Sequence, residues 1–307
     1  MKYAILGAGA LGSVVGGLMA RDGVDVVLWD INDAHLDAIN NNGLRLDLPH
    51  GSETVQIPAC RPDQGGGADA IILLTKTLHT SVALGGVTDL IAAGTPVLSL
   101  QNGLGNARRV ADKVPEDQVF YGCTMMPGRF IAPGHVASQG DGKAVFRALT
   151  DAGASTGSAI ACNTPGFSLI HDQAEADTLI WQKAAFNCAM NAICALAGGR
   201  VEYLSNSQTG IKLARDVAEE AINVAKAKGI AADLDAVFAQ MDRALANHQA
   251  HKPSMLQDME AGCATEIDAL CGEVAYQGKA VGLSTPINHA LEALIRLKTD
   301  VLKGEAE

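Results

Sequence analysis

The stretch Gly7-Ala8-Gly9-Ala10-Leu11-Gly12 constrains this 307-residue chain more than any other. Three glycines spaced G-x-G-x-x-G mean little alone. Here they follow an apolar strand-like run, YAILG, and open a helix-like run. A second strand-like run, VDVVLWD, then ends in Asp30, 18 residues past Gly12. Strand, glycine turn, helix, strand and terminal acid make the dinucleotide-binding pattern. In it Gly7 makes the tight turn, Gly9 lets the backbone approach a pyrophosphate, and Gly12 lets helix and strand pack closely. The N–H groups at the helix start face the phosphates. The competing reading is a glycine-rich turn with no ligand.

Asp30 bears on which nucleotide. A carboxylate there accepts hydrogen bonds from the adenosine ribose hydroxyls and repels a 2′-phosphate. The residues that follow, INDAHL, hold no Arg or Lys to receive that phosphate. The pattern favours NAD over NADP. The competing role, a turn carboxylate capping the next helix, is one that Asn32 or Asp33 can fill.

Glycine divides the chain: 24 of its 33 glycines precede Asp172. The first part alternates short Val/Ile/Leu runs (3–7, 24–30, 68–75, 95–102, 117–125) with helical stretches (10–22, 33–41, 78–92, 105–113). The runs are apolar on both faces, as strands of a covered parallel sheet are. The segment 44–59 reads as an inserted hairpin turning at His50-Gly51-Ser52. This predicts an α/β, doubly wound, Rossmann-type domain. The second part reads as helices only, at 172–197, 207–228, 233–247, 254–261, 265–281 and 286–302. Thr285 and Pro286 mark the start of the last. The expected division is 1–167 and 168–307, with turn residues around 162–173.

Inside the helix 172–197, the apolar sequence WQKAAFNCAMNAICAL carries Lys183, Asn187 and Asn191 at four-residue spacing. At 100° per residue these lie within ~80° of arc. Periodicity alone does not separate a solvated face from a lined cavity. The flanking Ala, Phe, Cys, Met and Ile favour the cavity, because buried polar groups need partners. A second polar group lies in KPSMLQDMEAGCATEID, 252–268. There Ser254 with Gln257 reads as a capping box, Gly262 as a helix end, and Thr265 with Asp268 as a new start. Glu266 is then a first-turn acid. Asn102 and Lys76 follow strand-like runs, where such sheets bind ligands, although Asn102-Gly103 also reads as a plain turn.

The net charge of −11 repels a phosphate backbone and argues against nucleic acid. Seven cysteines form no C-x-x-C pair and read as reduced, buried thiols of a cytoplasmic protein, not a disulfide frame or metal site. Glycines 7, 9, 12 and 16 interrupt the N-terminal run, so it reads as strand and helix and not as a signal peptide. No run reaches the ~18 apolar residues of a membrane span. A homodimer through the long apolar helices stays open.

Together, LGAGALG (6–12), LLTK (73–76), QNGLG (101–105), WQKAAFNCAMNA (181–192), KPSMLQD (252–258), TEID (265–268) and G-x-x-x-G-L-S-T-P-I-N (278–288) resemble the ketopantoate reductase (2-dehydropantoate 2-reductase) family. The resemblance spans nearly the whole chain. It implies a Rossmann domain followed by an all-helical, 6-phosphogluconate-dehydrogenase-like domain. It implies reduction of a small-molecule 2-keto acid by a nicotinamide cofactor, usually NADPH in the family. By it Lys183 is the general acid and Glu266 its acidic partner, orienting substrate and nicotinamide. Asn187, Asn191 and Ser254 match substrate-binding positions. Lys76, Asn102 and Gly128 match positions lining the cofactor and the substrate carbonyl. Three residues depart from the pattern: Ala192 where Pro is common, His251 where some members have Asn, and Asp30, unusual beside NADPH.

Overall fold

The computed structural model describes residues 1–247 and 249–304. They form two compact units, Met1–Gln101 with Asn106–Ala176, and Asn102–Gly105 with the chain from Asp177 onward.

The first unit holds thirteen strands: β1 (Lys2–Leu6), β2 (Asp25–Trp29), β3 (Leu44–Leu48), β4 (Gly51–Val55), β5 (Ala59–Cys60), β6 (Ala70–Leu73) and β7 (Val97–Ser99), then β8 (Val119–Thr124), β9 (Arg129–Ala132), β10 (His135–Ala137), β11 (Gly142–Ala148), β12 (Cys162–Asn163) and β13 (Phe167–His171). Its helices are α1 (Ala10–Arg21), α2 (Asp33–Asn42), α3 (Thr80–Gly85), α4 (Thr88–Ala92), α5 (Asn106–Ala111) and α6 (Ala154–Ile160). The main sheet runs β12-β13-β11-β8-β7-β6-β1-β2-β5, parallel from β8 through β5. The chain winds from β1 outward to β5, then returns to β6 on the other side of β1. That reversal is where a doubly wound sheet opens a crevice at its carboxyl ends.

The apolar runs are continuous because successive residues enter different cores. Tyr3, Ile5, Val26, Leu28 and Ile72 join the cluster containing Val14, Val15 and Leu18 of α1. Their neighbours Ala4, Leu6, Val27, Trp29 and Ile71 join a second cluster with Leu84, Ile91 and Val110.

Several expectations change here. The hairpin forms, but its turn is Pro49-His50, with Leu48 opposite Gly51. It joins β9 and β10 in a separate four-stranded sheet, β4-β3-β10-β9. Neither β9 nor β10 was expected: β9 is exposed throughout and has no alternation. The turn-rich stretch 162–173 supplies β12 and β13, and β11 and β13 extend the sheet past β8. The expected helix 78–92 is two short helices split at Gly86, where helix propensity is lowest.

The second unit is helical: α7 (Gln173–Asn187, begun in the first unit), α8 (Ile193–Ala197), α9 (Val201–Ser205), α10 (Gln208–Ala227), α11 (Leu234–Asn247), α12 (Ser254–Glu260), α13 (Cys271–Ala280) and α14 (Pro286–Gly304). Alanines 214, 218, 221 and 225 form one buried face of α10 and let neighbours approach closely. Pro286 opens α14, and Glu220 of α10 accepts from the N–H groups of Ile287 (3.0 Å) and Asn288 (2.9 Å). Lys298 Nζ donates to the carbonyls of Ala195 and Leu196, both at 2.8 Å, satisfying the end of α8. The expected helix 265–281 is broken: Ile267–Ala269 is a 3-10 turn, and α13 starts only after Leu270. No helix among the described residues is long and apolar enough to cross a membrane.

Candidate active site

The first unit gathers one set of predicted residues at the carboxyl ends of β1, β2 and β6. Gly7 has φ +103°, and a Cβ there would lie 2.5 Å from Thr75 N, so the turn requires glycine. The N–H groups of Gly7 and Ala8 both point to Trp29 O, at 2.8 and 3.3 Å. A Cβ on Gly12 would lie 2.0 Å from Gly7 O, so loop and helix touch there. At Gly9 a Cβ would meet nothing within 4 Å. Steric need for glycine at 7 and 12, with open space at 9, fits a cradle for a pyrophosphate. Gly9 is also the N-cap of α1, with no side-chain cap, so Ala10 and Leu11 open the helix. Gly128 closes over that start: its Cβ would lie 2.8 Å from Leu11 N.

Asp30 follows β2 and accepts from the N–H groups of Ile31 (2.8 Å) and Asn32 (3.0 Å) through Oδ1. It does not cap α2. Asn32 does, accepting from His35 N at 3.3 Å. Lys76 lies three residues past β6, half-buried, and its carbonyl accepts from His79 N.

Three supporting residues escaped the sequence reading. Gln101 is buried, and its Nε2 donates to Thr75 O (2.9 Å) and Thr80 Oγ1 (3.0 Å). It fixes the loop that abuts Gly7. His35 is buried beneath the glycine loop: Ser13 Oγ donates to Ala8 O (2.8 Å) and lies 3.0 Å from His35 Nε2. Arg61 reaches the β2–α2 turn from outside the segment INDAHL. Of these, only Gln101 lies in a motif singled out in the sequence, QNGLG.

The second unit gathers the other set. Asn102, Asn187, Asn191, Ser254 and Glu266 line one small cavity with Met255, Asp258 and Leu270. Lys183 is half-buried one turn before Asn187 and is not among the lining residues. The three polar residues of the stripe are half-buried, whereas Ala184, Ala185, Cys188, Ala189 and Met190 are buried. That favours a lined recess over a solvated face. Cys188–Ala192 is a π-helical turn that interrupts the α-helix, with Asn187 just before it and Asn191 within it. Wider π turns re-aim side chains and occur often at functional sites. Asn191 Nδ2 lies 3.4 Å from Ser254 Oγ, joining this helix to α12.

The capping-box expectation does not hold. Pro253 is the N-cap, Ser254 is the first helical residue, and Gln257 Nε2 donates to Lys252 O at 2.7 Å. The Ser254 hydroxyl is thereby left to the cavity. Glu266 precedes a 3-10 turn, not an α-helix, and Asp268 pairs outward with Arg296 at 2.8 Å. Asn102 sits in the loop Asn102–Gly105, itself part of the second unit: Leu104 N donates to Ala269 O at 2.7 Å, and Gly105 lies against the buried carboxylate of Glu273. Asp258 was also missed; it sits one turn from Ser254 on the same helix. A wider open groove along α10 and α11, lined by Arg215, Phe238 and Asp242, contains none of the predicted residues.

Comparison with known proteins decides the family. Residues 3–151 match the family described as ketopantoate reductase PanE/ApbA, and residues 175–299 match its C-terminal part. The chain belongs to the ketopantoate reductase family. It is accordingly a nicotinamide-dependent oxidoreductase acting on CH–OH groups. Relatives include the 2-dehydropantoate 2-reductase of Pyrococcus abyssi, 32% identical over 99% of this chain and 100% of that one. That of Streptococcus pyogenes serotype M3 is 30% identical over 98% and 99%. Among solved structures, a D-mandelate dehydrogenase with NADH and anilino(oxo)acetate aligns with TM-score 0.89 and 28% identity, covering 99% of this chain and 100% of that one. The 2-dehydropantoate 2-reductase of Geobacter metallireducens GS-15 aligns with TM-score 0.88 and 27% identity, over 97% and 99%.

Proposed function

We propose that this ketopantoate reductase family member is a cytoplasmic enzyme that reduces 2-dehydropantoate, or a similar branched 2-keto acid, to the (R)-2-hydroxy acid. Lys183 is its general acid, and NAD is its favoured cofactor. The observation that carries this reading is the cavity that brings Asn102, Asn187, Asn191, Ser254 and Glu266 together from four separate stretches of sequence.

The loop Gly7–Gly12 holds the pyrophosphate, Asp30 takes the adenosine ribose, and Lys76, Asn102 and Gly128 line the cofactor's path. A bound reduced nicotinamide supplies hydride to the keto carbon. Negative charge then builds on the carbonyl oxygen, and the Lys183 ammonium stabilises it and delivers the proton. Asn187, Asn191 and Ser254 hold the carboxylate and hydroxyl of the substrate through amide and hydroxyl groups. Glu266 orients the substrate and the nicotinamide end. Asp258 adds a carboxylate, which when ionised only accepts hydrogen bonds. A keto acid bearing a hydroxyl has a group that donates to it, and a purely hydrocarbon one has none.

One observation favours a second reading. The likeness to a D-mandelate dehydrogenase solved with NADH supports an NAD-linked D-2-hydroxyacid dehydrogenase acting on another 2-keto acid. A panel of 2-keto acids, with NADH and with NADPH, followed at 340 nm, separates the two. The first reading expects fastest turnover with ketopantoate. Faster turnover of a hydrocarbon or aromatic keto acid favours the second, and no oxidation of either nucleotide sinks both. Lys183→Ala should lower kcat by about 10²–10⁴-fold. Near-normal turnover in that variant would remove Lys183 from the mechanism.

A further inference from the structure

The turn after β2 carries charge of both signs. Arg61, just before the 3-10 turn Pro62–Gln64, reaches it from the far side of β5. Its Nη2 donates to Ile31 O at 3.3 Å. The same guanidinium is forked on the Asp33 carboxylate, Nε to Oδ1 at 2.8 Å and Nη2 to Oδ2 at 2.7 Å. Two parallel N–H···O bonds are the strongest geometry of an Arg–carboxylate pair. Both side chains are well exposed, 40% for Arg61 and 64% for Asp33, so the pair contributes little to folding stability. Its consequence is for the charge that the turn presents.

In sheets of this kind the turn meets the adenosine ribose. An acid at the strand end suits a 2′-hydroxyl, and an Arg nearby accommodates a 2′-phosphate. This chain has both, Asp30 and Arg61. What separates them is Asp33. We propose that Asp33 is a specificity-determining residue of the nucleotide site: it holds the Arg61 guanidinium in an ion pair and so withholds it from a 2′-phosphate. With Asp33 ionised the turn has two carboxylates and one guanidinium and is net acidic. Without that carboxylate it has one of each, and a planar group suited to phosphate is released beside Ile31. The inference rests on the nucleotide reading of the glycine loop and deepens it.

Asp33→Asn removes the charge and keeps the size. Asn32 remains the cap of α2, and thermal unfolding verifies that the variant is folded. Isothermal titration of the unliganded protein with NADPH and with NADH, without substrate, provides the readout. NADPH should bind about tenfold tighter to Asp33→Asn, the scale of one charge-assisted hydrogen bond, while NADH affinity moves far less. Adding Arg61→Ala should return NADPH affinity to the wild-type level or below it. An unchanged NADPH affinity in Asp33→Asn, or a gain that survives loss of Arg61, overturns the proposal. The wild-type protein tests the NAD preference separately: tighter NADPH than NADH binding overturns the use of Asp30, while Asp33 is still judged by its own variant. Binding of neither nucleotide overturns both.

Discussion

Single residues in the glycine loop do different physical work, and substitution separates them. Gly12 has no room for a methyl group, because its Cβ would lie 2.0 Å from the Gly7 carbonyl oxygen. A Cβ on Gly9 would meet nothing within 4 Å. Gly12→Ala should therefore cost about 1–3 kcal/mol or more, as overpacking does, and lower the urea midpoint. Gly9→Ala should cost about 1 kcal/mol or less, yet weaken nucleotide binding about tenfold or more, because the methyl group enters the space kept for the pyrophosphate. Chemical denaturation and nucleotide titration of the two variants check this. Equal stability losses would mean that Gly9 serves packing alone.

Elements are coupled to that loop through a buried histidine. Ser13 Oγ donates its proton to Ala8 O, so it receives one from His35 Nε2–H. His35 Nδ1 then accepts from Gly134 N at 2.9 Å. That network requires a neutral ring, with the tautomer inferred from its partners. Protonation would turn Nδ1 into a donor facing another donor. Burial holds His35 below its ordinary value of 6.5, against the opposing pull of Asp30. Burial lowers His171 as well, opposed by Asp172. Below 6.5 the unfolded chain binds more protons at these rings than the folded one does. Their contribution is thus fully present above pH 6.5 and is lost as pH falls toward the folded-state values. The urea midpoint should drop between pH 7.5 and pH 6, and by less in His35→Gln, whose side chain does not titrate. A flat profile in the wild-type protein contradicts the neutral-ring network.

At the scale of the whole molecule, seven free thiols report on how the chain is packed. Cys123, Cys188, Cys194 and Cys271 are buried, and the expectation of buried thiols holds for them. Cys263, however, is exposed in the turn after Gly262. Burial pushes the Cys194 thiol up to about 11. Burial, with the neighbouring Cys271 thiol, pushes Cys188 well above its usual value. Desolvation also raises the half-buried Cys60 and Cys162. Thiolates, not thiols, react. Native protein should show one fast thiol toward Ellman's reagent, lost in Cys263→Ser, with the buried four reacting only on unfolding. Fast reaction of Cys188, Cys194 or Cys271 in the native state would mean that the helical unit opens readily.

Local signals in the sequence were enough for the nucleotide loop, the alternation of strands and helices, the helical second half and the polar stripe. Each of these rests on spacing along the chain: three glycines around a turn, apolar runs shared between two cores, Lys183, Asn187 and Asn191 one turn apart. Tertiary structure decided what spacing does not encode. Strand β10 is placed by β3, and β11 by β8 and β13, far along the chain, while the short β9 and β12 pair with their chain neighbours β10 and β13. The π turn at 188–192 depends on what packs around it. Asp258 enters the cavity because it lies one helical turn from Ser254 on α12. Arg61 lies 31 residues beyond Asp30 in sequence, and only the pairing of β2 with β5 brings its guanidinium to the turn where the two nucleotides differ.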